Sequence, residues 1–283
     1  MMLNLLRAMR LERTLPILMI ILIPAAYSDV FPLTILVLAL VIVLIYSASS
    51  IYNAYKDKDY KLPDYSKKVV VALILSALII SAFVKIIFFI ALFAVFLGFL
   101  YNTIARILPL GDALIAGMTH FALPVLTSSL LVGIELIKTV QFTVLVYFLA
   151  LCIGPITNLK DVIKDRSLGY HTLVSDFKKP KIIAVIFLNF SLIVLFFLFL
   201  SLGIRGIFLV FLVPIFLLAL IISRLIFLNY EKSALYLVRF YLILSYLFLI
   251  LILSSNFYII LFSLSILIIS LIILGWRLSN GKI

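Results

Sequence analysis

Charged residues are scarce in this sequence. Asp, Glu, Lys and Arg make up only 12% of the 283 residues, whereas hydrophobic residues make up 66% and the mean hydropathy is +1.38. Soluble domains are about a quarter charged and about half apolar. A folded globule of this length cannot hide so much apolar surface from water, but a bilayer is a solvent for it. The composition therefore excludes a sizeable water-soluble domain and predicts a polytopic integral membrane protein.

Cysteine is nearly absent. The only one, Cys152, lies inside an apolar run, so an internal disulfide is excluded and we expect a small hydrophobic side chain within a helix. The N-terminal arginines followed by the apolar stretch Leu15 to Tyr27 have the form of a secretory signal. The hydrophobic runs downstream exclude a soluble secreted protein, and we expect an uncleaved first span.

Long apolar runs fill most of the chain. Because an α-helix rises about 1.5 Å per residue, a run of about 20 apolar residues crosses about 30 Å of hydrocarbon. The sequence predicts an all-α transmembrane helical bundle of nine to ten spans, forming a single domain over residues 1–283. The predicted spans are 14–29, 31–52, 69–84, 86–101, 110–133, 139–157, 182–203, 207–227, 235–254 and 257–276.

The basic residues fix the expected orientation. With ten spans and the N-terminus inside, 20 of the 23 basic residues fall in cytoplasmic or adjoining segments, and only Lys85, Lys138 and Arg205 lie elsewhere. Treating residues 69–101 as one span would place the two most basic loops on opposite faces. The net charge of +12 is thus explained by topology in a cell membrane and by contact with anionic lipid, and it does not indicate nucleic acid.

Acidic residues are also few, yet six of the eleven crowd the two longest loops, 53–68 and 158–181. They are Asp57, Asp59, Asp64, Asp161, Asp165 and Asp176. Asn53 and Asp57 are four residues apart, so they share a face if the second span continues as a helix. After the sixth span, the spacing i, i+3 and i+7 likewise places Asn158, Asp161 and Asp165 on one helical face. Both loops are predicted to be cytoplasmic and to carry the function.

Oxygen ligands without nearby His or Cys suit Mg²⁺, which combines carboxylates with substrate phosphates. The interleaved Lys58, Lys160, Lys164 and Arg166 would contact a phosphorylated ligand. Two other interpretations remain open at this point. The loops are ordinary solvated surfaces, or the protein is a transporter, although transporters usually place their binding groups near the bilayer midplane.

Both acidic motifs resemble those of the UbiA superfamily of intramembrane prenyltransferases, which places two Asp-rich motifs after its second and sixth helices. The first family motif is N-D-x-x-D-x-x-x-D. Asn53 and Asp57 match it, whereas Ala54 and Lys61 replace two of its Asp residues. The second is D-x-x-x-D followed by G-x-x-T-L, and it is matched throughout, by Asp161, Asp165, Gly169, Thr172 and Leu173.

Two weaker similarities extend the resemblance to about residues 7–250. Arg10-Leu11-Glu12-Arg13 resembles the R-L-x-R opening of the family. Tyr101 to Arg106, followed by Gly111, resembles its Y-x-x-x-K segment, with Arg106 in place of the lysine. The family fold has nine helices, so residues 257–276 would be an extra span.

The resemblance implies a Mg²⁺-dependent enzyme that transfers a polyprenyl group from a prenyl diphosphate to a lipophilic acceptor in the membrane. It implies Asp57, Asp161 and Asp165 as catalytic residues, and Asn53 with these three as metal ligands. The expected diphosphate-binding residues are Arg13, Lys58, Tyr101, Arg106 and Lys160. The acceptor stays open among quinone precursors, glycerol-phosphate ether lipids and haem- or chlorophyll-type rings. The degenerate first motif keeps an inactive homologue as an alternative.

Three further polar residues carry expectations of their own. His120 lies in the fifth span, where an ionisable side chain either lines a cavity or makes a packing hydrogen bond. Asp112 is expected to cap the start of that span. His171 is expected on the surface.

Overall fold

The computed structural model describes residues 2–58, 61–105, 107–108 and 110–279, and these residues form helices and connecting turns without a β-strand. The ten helical segments follow the predicted spans in order. They are α1 (Asn4–Ser28), α2 (Leu33–Lys56), α3 (Ser66–Ser81), α4 (Lys85–Ala105), α5 (Gly111–Leu131), α6 (Leu136–Ser167), α7 (Pro180–Ser201), α8 (Gly206–Phe227), α9 (Glu231–Leu253) and α10 (Phe257–Ser279).

The long apolar run after the first acidic loop forms two helices, as predicted. α3 ends at Ser81, Val84 is extended (φ −132°, ψ 99°), and α4 begins at Lys85. With 16 residues α3 is about 24 Å long, shorter than the hydrocarbon layer. Within the described residues nine of the ten helices are long and apolar enough to cross a membrane, and α3 is the exception. Among the described residues this count of nine agrees with the predicted nine to ten spans, and α3 is a further, shorter helix.

Several helices lose regular geometry toward the same end of the bundle. α1 is interrupted at Arg10 (φ 50°) and continues as a 3₁₀ turn over Leu11–Arg13. α4 ends in a π-helical turn, Tyr101–Ala105, and α5 contains another, Met118–Ala122. α6 passes through a 3₁₀ turn at Leu159–Asp161. Such π turns often mark functional sites because they redirect side chains out of the regular helical register.

The first helix lies in the interior of the bundle. Residues 19–23 are all buried in the main apolar core, and the helix packs against α5, α9 and α10. Its C-terminal turn is tied to the last interhelical loop, because the Asp29 carboxylate accepts hydrogen bonds from the Ser254 hydroxyl (2.6 Å) and the Asn256 backbone N–H (3.1 Å). The hydroxyl of Ser254 is the main cause of a pKa for Asp29 below its ordinary value.

Candidate functional site

A polar cavity of about 440 Å³ opens at the irregular end of the bundle. Residues from α1, α2, α4, α5, α6 and α9 line it, together with Asp57 after α2 and Thr172 after α6. Both acidic motifs contribute to this one cavity. The ionisable and amide side chains on its wall are Arg10, Arg13, Asn53, Asp57, Asp112, His120, Asn158, Lys160, Asp161, Lys164, Asp165 and Arg239.

The first motif is placed by the end of α2. The helix ends at Lys56, and the Asp57 N–H still donates to the Asn53 carbonyl (2.9 Å), so both side chains stay on the cavity side. The Tyr170 hydroxyl donates to Asp57 Oδ1 at 3.4 Å, and the Tyr170 N–H donates to the Asp165 carbonyl at 2.9 Å. One tyrosine therefore bridges the two acidic motifs.

The second motif is placed by the C-terminal part of α6. Asn158, Asp161 and Asp165 all line the cavity, as their spacing predicts for one helical face. Asp165 is buried, at 5% exposure, whereas the half-exposed Asp161 forms an ion pair with Lys160. The Asn158 amide donates to Asp112 Oδ2 at 2.9 Å. Asp112 thus lines the cavity, and the expectation that it caps α5 is wrong, because the N-cap is Leu110 and no side chain caps the helix.

The residues that match G-x-x-T-L fold the loop after α6 back onto the cavity. Gly169 adopts a left-handed conformation (φ 69°), which suits glycine. Thr172 and Ser175 exchange hydrogen bonds between backbone N–H groups and side-chain oxygens (2.8 and 3.2 Å), and Leu173 is buried beside them. His171 lies on the exposed side, where its Nδ1 is 2.9 Å from Asp176 Oδ1. The expectation of a surface position for His171 agrees with this placement.

Some of the predicted diphosphate-binding residues line the polar cavity and others do not. Arg13, Tyr101 and Lys160 line the polar cavity. Lys58 is exposed and is absent from the lining, because the chain turns through a left-handed conformation there (φ 53°) after the helix has ended. Arg106 and Asp59 lie outside the described residues. Asp64 is exposed and lies away from the cavity.

A second, apolar cavity of about 130 Å³ continues from the polar one between α1, α2, α4 and α5. Its apolar wall includes Leu38, Ile42, Ile87, Ala91 and Leu123, among others. The residues that line both cavities are Arg10, Arg13, Ile17, Tyr46, Asn53, Tyr101 and His120. The site is thus polar at one end and apolar where it enters the bundle.

Two aromatic side chains mark the junction of the cavities. The rings of Tyr46 and His120 lie 4.9 Å apart, centroid to centroid, and both residues line both cavities. Of the two expectations for His120, the cavity-lining one therefore describes its position. Sequence reasoning singled out His120 as an intramembrane ionisable residue but missed Tyr46, which carries no comparable signal.

The donor set of the polar cavity fits Mg²⁺ in part. Within the described ranges, no three Asp, Glu, His or Cys side chains are close enough together to hold a metal ion by themselves. Mg²⁺ does not require such a cage, because it is usually bound through one or two carboxylates and substrate phosphates. The cavity is lined by the hard oxygen donors of Asn53, Asp57, Asp161 and Asp165, which suit an ion that arrives with a diphosphate.

Gly111 is a position where only glycine fits. A Cβ on this residue would lie 2.4 Å from the carbonyl oxygen of Ala105. Ala105 is the last residue of the π turn that begins at Tyr101. We expect Gly111→Ala to lower the free energy of unfolding by about 1–3 kcal/mol, because backbone must move to relieve the clash. Thermal unfolding in detergent measures this change. Gly275→Ala is the matched control, since its Cβ would meet no atom within 4 Å, and an equal loss in both variants would contradict the assignment.

Comparisons with known proteins identify the fold. No family model matches the sequence, and no curated protein matches it. An apo UbiA homologue from Aeropyrum pernix K1 is 16% identical, with a TM-score of 0.69 over 86% of this chain and 98% of that chain. A digeranylgeranylglyceryl phosphate synthase is 16% identical, with a TM-score of 0.62 over 88% and 97%. A UbiA homologue from Archaeoglobus fulgidus, bound to DMAPP and Mg²⁺, is 16% identical, with a TM-score of 0.60 over 90% and 98%. The chain therefore has the UbiA fold, as the motif resemblance predicted.

Proposed function

We propose that this chain, which has the fold of UbiA homologues, is a UbiA-type prenyltransferase that moves a prenyl group from a prenyl diphosphate to a lipophilic acceptor. One observation carries the proposal. The carboxylates of both acidic motifs line a single polar cavity, and that cavity continues into an apolar one inside the membrane-embedded bundle. A prenyl diphosphate has the same two parts, a polyanionic head and an apolar tail. The binding of DMAPP and Mg²⁺ by the Archaeoglobus fulgidus homologue supports this reading.

The acidic residues would act on the head of the donor. Asn53, Asp57, Asp161 and Asp165 would hold Mg²⁺, which neutralises charge on the diphosphate as it leaves. Lys160 and Lys164 line the same cavity and would supply positive charge directly to phosphate oxygens. Tyr170 bridges Asp57 and the backbone at Asp165, and so holds the two motifs at a fixed separation.

The apolar cavity would act on the tail. The C1–O bond of the allylic diphosphate breaks, diphosphate departs with the electron pair, and the acceptor nucleophile forms the new bond to C1 and releases a proton. Apolar side chains around C1 exclude water, which would otherwise capture the allylic cation. Tyr46 and Tyr101 lie where the two cavities join, and their ring faces favour positive charge.

A transporter is the alternative of another class. Transporters usually place their binding groups near the midplane on broken helices, whereas the carboxylates here gather at one end of the bundle. The deciding experiment incubates the purified protein in nanodiscs with Mg²⁺, a radiolabelled prenyl diphosphate and a panel of acceptors. We expect a prenylated product that disappears when EDTA removes the metal. Uptake of the label into sealed vesicles without a covalent product would favour the transporter.

We also propose that both acidic loops face the cytoplasm, from the distribution of basic residues. The test uses single cysteines in a Cys152→Ser background, at the exposed positions Lys68 and Lys178 and, for the opposite face, at Glu135. A membrane-impermeant maleimide should label Lys68→Cys and Lys178→Cys only from the cytoplasmic side and Glu135→Cys only from the other. Labelling of the two loops from different sides would contradict the proposal.

A further inference from the structure

The proposed reaction releases a proton from the acceptor, and a base close to C1 must take it up. In that reaction the carboxylates of the acidic motifs bind Mg²⁺, and Lys160 and Lys164 contact phosphate oxygens. The base is therefore a further residue of the site, and the position of C1 determines where it lies.

C1 of the donor lies where the two cavities meet. Asp57, Asp161 and Asp165 line the polar cavity and not the apolar one, so the diphosphate lies on one side of the junction and the tail on the other. Asp112, the remaining carboxylate of the polar cavity, does not reach the junction either. The described residues that line both cavities are Arg10, Arg13, Ile17, Tyr46, Asn53, Tyr101 and His120. Of these residue types, histidine is the one that accepts a proton near neutral pH.

The local sequence explains how His120 comes to line the junction. Pro124 follows four residues later and has no N–H, so the His120 carbonyl cannot accept the ordinary α-helical hydrogen bond. The helix widens here into the π turn Met118–Ala122, in which the Leu123 N–H donates to the Met118 carbonyl five residues earlier. On the side of α2, the Tyr46 ring lies 4.9 Å from the imidazole, centroid to centroid. The backbone and this ring together fix the imidazole at the junction.

The imidazole nitrogens of His120 are available to a ligand. Within the described part of the chain, no hydrogen bond joins either nitrogen to another residue. A histidine that served only to pack helices together would be expected to make such a bond, because buried polar groups usually do. His120 is half-buried, and it borders the polar cavity, through which a proton can reach water.

We infer that His120 is the general base of prenyl transfer and that it takes the proton from a hydroxyl group of the acceptor. The inference rests on the proposed function. The C1–O bond of the donor breaks and its electron pair leaves with the diphosphate, while the hydroxyl oxygen of the acceptor forms a bond to C1. The O–H proton passes to a ring nitrogen of His120, and the imidazolium then releases it to water through the polar cavity. A hydroxyl needs this base, whereas a carboxylate nucleophile has no proton to lose.

The first test replaces the imidazole in two ways. His120→Phe keeps a ring beside Tyr46 without a basic nitrogen, and His120→Gln keeps a polar group without a base. Each should lower kcat/KM for the acceptor by about a hundred-fold to ten-thousand-fold, the range that general base catalysis contributes. The dissociation constant of a non-hydrolysable prenyl diphosphate analogue should change by less than about two-fold. His171→Gln is the matched control, because the second histidine of the chain is exposed and pairs with Asp176.

The assay uses a radiolabelled prenyl diphosphate, Mg²⁺ and two hydroxyl acceptors, an ether-linked glycerol phosphate and a hydroxybenzoate. Mass spectrometry of the product should show an ether bond to the acceptor oxygen. Attack on C1 by a carbon atom of the acceptor, or product formation only with acceptors that lack a hydroxyl, would overturn the inference.

The pH profile is a readout that a packing role would not move. A protonated imidazole cannot accept a proton, so kcat/KM of the wild-type protein should fall as the pH drops through the titration of His120. His120→Gln should lack this fall. The other titratable and charged groups of the cavities remain in both proteins, so their titration affects both profiles; they are Arg10, Arg13, Tyr46, Asp57, Tyr101, Asp112, Lys160, Asp161, Lys164, Asp165 and Arg239.

Chemical rescue separates proton transfer from the filling of space. His120→Ala leaves room for imidazole, which can enter from solution through the polar cavity of about 440 Å³. Added imidazole should raise the rate of this variant by at least about ten-fold. Pyrazole is the matched control, because it has the same size and shape but is a far weaker base. Equal rescue by the two compounds would mean that His120 only fills space, and would overturn the inference.

The outcomes separate this inference from the proposed function. If the wild-type protein transfers no prenyl group to any acceptor, both fail together. If it is active and the substitutions of His120 change kcat/KM by less than about three-fold, or the fall at low pH persists in His120→Gln, the inference fails and the proposed function stands. Should one substitution prevent folding, as judged by gel filtration and thermal unfolding, the other two decide by the same criteria.

Discussion

Asp161→Ala and Asp165→Asn are each expected to lower prenyl transfer by at least about a hundred-fold, the loss that follows removal of one transition-state charge stabiliser. Both residues line the polar cavity, and both match the second family motif. Asp57→Ala should be nearly as severe, because Asp57 is the acidic residue of the first motif that occupies a family position. The measurement is the initial rate of product formation at saturating Mg²⁺.

Asp64→Ala and Asp176→Ala are the controls for this prediction, because both residues are exposed and neither lines the cavity. The structure changes the design in one respect. Loop carboxylates that are exposed contribute little to folding, but Asp165 is buried, so replacement by alanine would also create a cavity. Asparagine has nearly the same shape as aspartate, so Asp165→Asn removes only the charge. Equal activity in all five variants would refute the proposed function.

Ala91→Phe is expected to lower transfer from long prenyl diphosphates by at least about ten-fold, which corresponds to about 1.4 kcal/mol. Ala91 is 3% exposed and lines the apolar cavity, so a phenyl ring there takes up volume that the donor tail would otherwise fill. Transfer from DMAPP, which has a single isoprene unit, should fall much less. The measurement is kcat/KM for a series of donors of increasing chain length.

Leu92→Phe is the matched control, since the next residue of α4 is 41% exposed and faces away from the apolar cavity. A ring of the same size at Leu92 should leave the chain-length profile unchanged. If Ala91→Phe lowered activity with DMAPP and with long donors to the same extent, the tail would not occupy this cavity.

The sequence predicts the helices well because apolar runs and loop charge are local signals. It predicts the break near Lys85 and the common face of Asn158, Asp161 and Asp165, which follow from chain punctuation and helical spacing. The predicted span 69–84 has the same length as α3, 16 residues, but α3 lies three residues earlier, because apolar composition continues beyond Ser81 after the helix has ended. The exposure of Lys58 depends on one left-handed residue after α2, which no motif encodes.

The position of Arg239 shows a different limit of sequence reasoning. The charge distribution groups Arg239 with the cytoplasmic basic residues, yet it lies within α9 and lines the cavity. Its position inside a predicted span is a signal that could have identified it, since an intramembrane arginine is a functional candidate. Its proximity to Arg13 and Glu12 arises from tertiary packing of α1 against α9, and local sequence carries no information on that contact.

The hydrogen bonds that Asp29 accepts from residues 254–256 join the first interhelical turn to the last one. This closure has a consequence for biogenesis, because α1 is translated first, yet it packs on α9 and α10, which are translated last. At about 5–20 residues per second, translation from Asp29 to Ser254 takes on the order of ten to forty-five seconds. Throughout that interval the nascent α1 cannot pack against α9 and α10. Crosslinking of stalled chains would detect α1 in contact with the insertion machinery. A ribosome that stops before α9 releases a chain whose most interior helix still faces lipid.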